Sequence, residues 1–385
     1  MSKIEQLIQQ LCPEGVEYKR LGEVCEMRNG YTPSKSKPEY WEDGNIPWFR
    51  MEDIRTNGRI LSDSIQHITT EGVKGKGLFP ANSIILATTA TIGEHALIIV
   101  DSLANQRFTN LSIRKSLESE IDIKFFFYYM FIVDEWCKNN TNPGTFASVD
   151  TKKLANVLIP LPPLPVQQEI VRILDAFTQL EAELEAELEA RKKQYAYYRD
   201  TLLSFEHDDP KVEWKRLGEV VRGISSGKNK TRNNEGQYPV YGSTGIIAKT
   251  DEYVYDKKQI LIARVGAYAG YVHIADGKYD VSDNAIIVDL KDDVSFKYIY
   301  HLLTNLGLNK YAKGGGQPLV TASQMKQISI PLPPLSVQQE IVRILDKFSA
   351  LTSDLQSGLP AEIEARKKQY EYYRDRLLTF KRKEA

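Results

Sequence analysis

Apolar residues at Val166, Ile170, Ile173, Phe177, Leu180, Leu184, Leu188, Tyr195, Tyr198, Leu202 and Phe205 advance by three or four positions at nearly every step. That spacing puts them on one stripe of a helix whose other face is rich in Glu, Arg and Lys. About 41 residues rising about 1.5 Å each make a rod of roughly 60 Å. A rod with a single apolar stripe needs a partner along most of its length. The chain supplies one, because Ile159–Asp175 returns as Ile330–Asp346 with 16 of 17 positions identical. Ala190–Phe205 likewise returns as Ala365–Phe380 with 13 of 16 identical. Two long helices paired as a coiled coil are therefore expected.

Each copy opens on a proline run (Pro160, Pro162, Pro163; Pro331, Pro333, Pro334). Proline removes a backbone hydrogen bond, so the run reads as a turn between two elements. The second copy carries four extra residues around Gln356–Pro360. One added turn keeps the stripe in phase through Leu351, Leu355, Leu359 and Ile363. Gly358 and Pro360 oppose a straight helix, and a kink or short break near Gly358 is expected.

A second block repeats as well: Val16–Val24 and Val212–Val220 agree at 8 of 9 positions. The order is block, variable region, proline run and long helix, given twice, after a short amphipathic helix at Met1–Leu11. The variable regions, Cys25–Asp150 and Val221–Thr321, share little sequence. Both carry short apolar runs bounded by turn residues, such as Ser83–Thr88, Ala96–Val100, Gln259–Val265 and Asn284–Val288, which read as strands. Asp122–Trp136 and Val294–Leu306 read as buried helices at matching places. Lys313–Gly316 reads as a flexible loop. The fold class is α+β: two β-rich domains joined by two long helices in a coiled coil, the plan given twice as an internal repeat. The segments are 1–157, 158–207, 208–328 and 329–385.

Composition adds bounds. A chain of 385 residues with 42% apolar and 26% charged content suits two or three soluble domains. No apolar run approaches the roughly 18 residues of a membrane span, and the polar start is unlike a signal peptide, so a cytoplasmic location is expected. Cys12, Cys25 and Cys137 have no metal-ligand spacing and read as reduced thiols. A net charge of −1 means that any nucleic-acid binding must rest on local patches. Two such patches follow the repeated blocks. Residues 28–37 carry Arg28, Lys35 and Lys37 with no acid; residues 222–232 carry Arg222, Lys228, Lys230 and Arg232 with no acid. Cations, hydroxyls and free backbone N–H groups are what phosphate contacts require.

Catalytic patterns are missing. Gly223–Asn229 falls one residue short of a P-loop and ends in Asn. The five histidines have no partner at metal-ligand spacing, no nucleophile elbow occurs, and the Pro-Pro pairs are followed by Leu164 and Leu335, unlike an amino-methyltransferase motif. The chain reads as non-catalytic, with no metal or cofactor of its own.

Two variable β-rich inserts alternating with LPPL-x-VQQEIVRIL helices that end in YYRD-x-LL-x-F closely resemble the specificity (S) subunits of type I restriction–modification enzymes. Asn45–Arg50, Ile85–Gly93, Tyr238–Thr244 and Ile260–Gly266 support the resemblance, which covers almost the whole chain. It implies that each insert recognises one half of a bipartite double-stranded DNA site. It implies that the two long helices pack antiparallel, giving the chain a pseudo-two-fold axis, and that their coiled coil spaces the inserts and docks two methyltransferase subunits, which bind AdoMet, and two ATP- and Mg-dependent motor/nuclease subunits. Phosphate contacts are then expected from Arg28, Lys35, Lys37, Lys228, Lys230 and Arg232. Base contacts are expected from Thr88, Thr89, Gln106, Arg107, Tyr241, Ser243, Thr244, Arg264 and Asn284, at the ends of predicted strands. Subunit docking is expected on exposed helix faces at Gln167, Gln168, Arg172, Arg191, Lys192 and Lys193, and at their copies Gln338, Gln339, Arg343, Arg366, Lys367 and Lys368.

Overall fold

A computed structural model of the chain describes residues 2–142, 147–231, 234–354 and 357–384. Its contacts fall into two units, Met1–Ala182 with Glu364–Ala385, and Glu183–Ile363. Six helices carry the scaffold: α1 (Lys3–Leu11), α2 (Ile123–Asn139), α3 (Leu164–Leu202), α4 (Phe296–Asn305), α5 (Leu335–Ser353) and α6 (Leu359–Leu377). The first long helix is one uninterrupted element. The second is two, with the expected break between Ser353 and Leu359. Gly358 is required there by space: a Cβ would lie 2.6 Å from the Ala350 carbonyl oxygen and 2.7 Å from that of Asp354. The glycine packs on the last carbonyls of α5, where a side chain has no room.

Each unit pairs the start of one long helix with the end of the other. In the first, Phe177 meets Tyr370 and Tyr373, with centroids 6.3 and 5.6 Å apart. In the second, its copy Phe348 meets Tyr195 and Tyr198 at 6.4 and 5.3 Å. The first unit also joins Lys367 to Glu181 at 3.2 Å, so partner numbers fall as α3 advances and the pair is antiparallel.

The proline run corrects one expectation. Leu158–Leu161 is a strand, paired antiparallel with Glu17–Arg20, and Pro160 stands opposite Tyr18. Ser329–Leu332 pairs with Glu213–Arg216 in the same way, with Pro331 opposite Trp214. Pro160 and Pro331 are therefore strand residues. Each ribbon has only two strands, and a proline is tolerated where the missing N–H faces an open edge. The turn begins at the next prolines: the Pro163 carbonyl accepts from the Val166 N–H at 2.8 Å and starts α3. The two repeated blocks of each copy recur together because they bond to each other.

Between ribbon strands sits the β-rich insert. The first unit has a five-stranded sheet in the order Cys25–Asn29, Phe108–Ile113, Ser83–Ala87, His95–Ile98, Ile60–Leu61, and a three-stranded sheet centred on Ile46–Phe49. The second has a four-stranded sheet in the order Val221–Ser226, Ala285–Leu290, Gln259–Ala263, Val272–Ala275. Its other sheet runs Gly245–Thr250, Tyr238–Gly242, Lys278–Val281, Tyr255–Asp256. The central strands Ser83–Ala87 and Gln259–Ala263 are buried at every position, as continuous apolar runs between two covered faces should be.

Each insert is clamped to its long helix by two repeated side chains. The Gln167 amide donates to the Glu120 and Pro162 carbonyls and accepts from the Asp122 N–H, at 2.6–2.8 Å. Gln338 donates to the Pro333 carbonyl at 2.9 Å and accepts from the Ser295 N–H at 3.1 Å. About two turns further on, Asp175 receives Lys124 and the Tyr128 hydroxyl, both at 2.7 Å. Its copy Asp346 receives Lys297 and His301 Nε2. Burial of the His301 ring pushes its pKa below the usual imidazole value, against the pull of Asp346.

Candidate nucleic-acid interface

The divergent inserts converge on one loop cluster, built twice from the same backbone bonds. In the first unit the strand Cys25–Asn29 ends at Gly30, whose N–H donates to the Phe108 carbonyl at 2.9 Å, while Tyr31 N–H donates to the Ala104 carbonyl. In the second, Gly227 N–H donates to the Ala285 carbonyl at 3.0 Å, and Lys228 N–H to the Val281 carbonyl. Thr88 N–H reaches the Arg107 carbonyl, and Arg264 N–H reaches the Asn284 carbonyl. Val149 N–H then reaches the Thr88 carbonyl, as Val320 N–H reaches that of Arg264. The turns match too: Asn105 Oδ1 accepts from the Arg107 N–H, and Ser282 Oγ from the Asn284 N–H.

Glycine is needed at the crossing. A Cβ on Gly30 would stand 2.2 Å from the Asn105 carbonyl oxygen, and one on Gly227 2.2 Å from that of Val281. Thus Asn29-Gly30 with Asn105–Arg107, and Ser226-Gly227 with Ser282–Asn284, are equivalent places filled by different side chains. Side chains can vary there because main-chain bonds hold the loops.

Most predicted contact residues gather at these clusters. Lys35, Gln106 and Arg107 are exposed at the first, and the Thr32 hydroxyl bonds Gln106 Oε1 at 2.6 Å, tying the basic loop to the Asn105–Arg107 turn. Lys37 is exposed, and its bond to the Tyr40 hydroxyl at 3.3 Å raises its pKa above the ordinary lysine value. Thr89 is half-buried beside Ser148. At the second, Lys228, Lys230 and Thr244 are exposed, with Tyr241, Ser243 and Asn284 half-buried. The Ser243 hydroxyl donates to the Asn284 carbonyl at 2.8 Å. Arg232 lies outside the described residues.

Four predicted residues have structural work instead. The Arg28 guanidinium donates to the carbonyls of Lys76, Gly77 and Leu78 at 2.7–3.1 Å and lies over the Phe79 ring, so it is spent on the loop, not free for a phosphate. Thr88 is buried, its hydroxyl 2.9 Å from that of Thr109. Gln167 and Gln338, expected on an exposed docking face, are buried in the clamps described above. Arg264 is partly committed: Nη1 donates to the Asp283 carbonyl at 2.8 Å and braces the turn. The remaining helix-face residues Gln168, Arg172, Lys192, Lys193, Gln339, Arg343, Lys367 and Lys368 are exposed, and Arg191 and Arg366 half-buried.

Sequence reasoning missed Lys74 and Lys76. Both are exposed on the loop that Arg28 anchors, and the Tyr40 ring carries Lys37 Nζ at 5.0 Å and Lys74 Nζ at 5.9 Å. The run Lys74-Gly75-Lys76-Gly77 was the available signal. It missed Lys313 as well. Lys313 and Leu319 exchange backbone bonds at 3.0 and 2.9 Å, so the glycine-rich loop is the tip of a hairpin beside Arg264, where the first unit has the paired strands Thr141–Asn142 and Ser148–Val149. Tyr197 and its copy Tyr372 are both strongly exposed on the repeated helix ends.

No group of three metal-ligating side chains occurs among the described residues. The buried pair His95 Nδ1 and Asp134 Oδ2, 2.6 Å apart, sits between the sheet and α2 under Phe127 and Phe131. It is a core contact, and burial pushes His95 below its usual pKa. No described helix is long and apolar enough to cross a membrane.

Comparison with known proteins gives concordant matches. The family model described as "Type I restriction modification DNA specificity domain" matches twice, at residues 13–190 and 211–365. The chain is 44% identical over 372 residues to the type I restriction enzyme EcoprrI specificity subunit of Escherichia coli, covering 92% of this chain and 93% of that one. Two solved structures share the fold. A chain from a type I R-M system matches with a TM-score of 0.67 at 21% identity, over 95% of this chain and 98% of that one. The HsdS subunit from Thermoanaerobacter tengcongensis matches at 0.56 and 19%, over 96% and 97%.

Proposed function

Because the chain belongs to the type I restriction modification DNA specificity family, we propose that it is the DNA-reading subunit of a type I complex, each unit recognising one half of a bipartite site. The observation that carries this is the pair of loop clusters: identical main-chain bonding, equivalent glycines and divergent exposed side chains. Such a frame keeps loop geometry constant while the groups offered to base edges change. Lys35, Lys37, Lys74 and Lys76 in one unit, and Lys228, Lys230 and Lys313 in the other, supply the phosphate contacts. Gln106, Arg107, Ser243, Thr244 and Asn284 lie where base edges are read. The chain contributes no catalysis. AdoMet belongs to two methyltransferase subunits, and ATP with magnesium to two motor/nuclease subunits, in a cytoplasmic complex. The methyltransferase subunits dock on the duplicated helix surface around Gln168, Arg172 and Lys192 with Tyr197, and around Gln339, Arg343 and Lys368 with Tyr372.

The test is salt dependence. With the complex assembled, Lys35→Ala with Lys74→Ala weakens binding to every duplex and lowers the log–log salt slope by about two, roughly 0.9 per phosphate contact. An unchanged slope by fluorescence anisotropy would remove the basic loops from the interface.

A further inference from the structure

The two copies of the helix start differ in one respect that their sequences do not explain. Val166 in α3 is 0% exposed, and its copy Val337 in α5 is 41% exposed. The Glu169 side chain is 3% exposed, and that of its copy Glu340 is 54%. Both residues are identical between the copies, so the difference is one of covering. In the first unit α1 is the cover. Ile4 is buried, with Leu7 and Ile8 half-buried, in the cluster that holds Val166, Ile170 and Leu378. Lys3 Nζ reaches Glu169 at 2.7 Å, beside the Arg172 pair at 2.7 Å. The helix is fixed at its start by a capping box between Ser2 and Glu5. The second unit has no counterpart, because only residues 203–212 separate α3 from the strand Glu213–Arg216. The same place is an open groove of about 380 Å³, lined by Leu202, Phe205, Val337, Glu340, Ile341 and Ile344. Glu340 keeps its Arg343 pair at 2.7 Å and has no second cation among the described residues.

We propose that this groove is the docking site for an amphipathic helix of a partner protein, one per chain. The partner helix has the chemistry of α1: apolar residues at i, i+3, i+4 and i+7, and a Lys or Arg just before the first. The filled copy shows what fits, and the shared glutamate fixes the charge of the visitor. A second copy of the chain is a poor occupant, since its own α1 is already seated and would leave an equal groove open behind it. Helix-in-groove recognition of this kind rests on a few apolar anchors with one orienting charge. The proposal is independent of DNA reading, and its test contains no DNA, so either can fail alone.

The probe is an acetylated peptide of residues 2–12 carrying Cys12→Ser, held helical by a lactam between Gln6→Glu and Gln10→Lys on its exposed side. Titrated against the full chain by fluorescence anisotropy, it binds one per chain. Val337→Asp in the chain weakens it more than about tenfold, the cost of a buried charge. A Lys3→Glu peptide binds about threefold or more weakly, as expected for one ion pair, and recovers on the Glu340→Lys chain. That rescue assigns the site to α5, because Glu169 is unchanged. Absence of saturation by about 1 mM, binding indifferent to Val337→Asp, or no rescue overturns the proposal. So does a concentration-dependent dimer of the free chain that Val337→Asp abolishes, since a second copy would then be the occupant.

Discussion

Gly30 and Gly227 are where single residues matter most to the recognition loops. Neither needs a left-handed backbone; each is glycine because a carbonyl of the facing turn passes where a Cβ would be. Overfilling a packed crossing typically costs about 1–3 kcal/mol, and here the turn Asn105–Arg107 has to move to relieve it. Gly30→Ala should lower the melting temperature of the chain and weaken recognition of one half-site, leaving the other intact. Thermal unfolding measures the first effect, and methylation of DNA carrying each half-site singly altered measures the second. Equal loss at both halves would mean that the turn is not specific to one unit. Arg28 shows why residue roles were hard to read. Composition marks a cation in a basic loop, and only the backbone path reveals three carbonyls waiting for it.

At the scale of elements, α1 is held by charge as well as by its apolar face. Hydrogen bonds from Arg172 and Lys3 hold the Glu169 carboxyl at about 2, below its ordinary 4.5. A depressed carboxylate stabilises the docked helix fully above the unfolded value and loses that contribution as pH falls from about 4.5 towards 2. Hydrogen exchange at α1 amides should therefore quicken, relative to the chemical rate, as pH falls from about 4.5 towards 2, the window set by those two values. Glu169→Gln should remove that dependence, and a profile identical in wild type and variant would refute it. Helices were the most legible elements, because period and capping residues are local signals. The break at Gly358 was legible for the same reason. The ribbon strands were not, since Pro160 and Pro331 are punctuation unless their partners Tyr18 and Trp214 are known.

For the molecule as a whole, the repeat exposed the duplicated scaffold, and the family resemblance supplied its meaning. The inserts share almost no sequence, yet Gly30 and Gly227, Arg107 and Asn284, and Phe49 and Tyr241 occupy matching backbone positions. Main-chain hydrogen bonds define those matches, and side-chain patterns do not report them. The same blindness hid the clamps at Gln167 and Gln338. A polar residue repeated on a helix reads as surface until the carbonyls of Pro162 and Pro333 are found beside it. The central claim is that each unit reads its own half of one site. Single-molecule mapping of methylated DNA tests it most directly, using complexes of the wild-type chain and of one carrying Ser243→Ala, Thr244→Ala and Asn284→Ala. The account predicts a bipartite motif for the wild type and, for the variant, relaxed bases in one half with the other half and the spacing unchanged. A motif altered in both halves, or a continuous motif with no spacer, would contradict it.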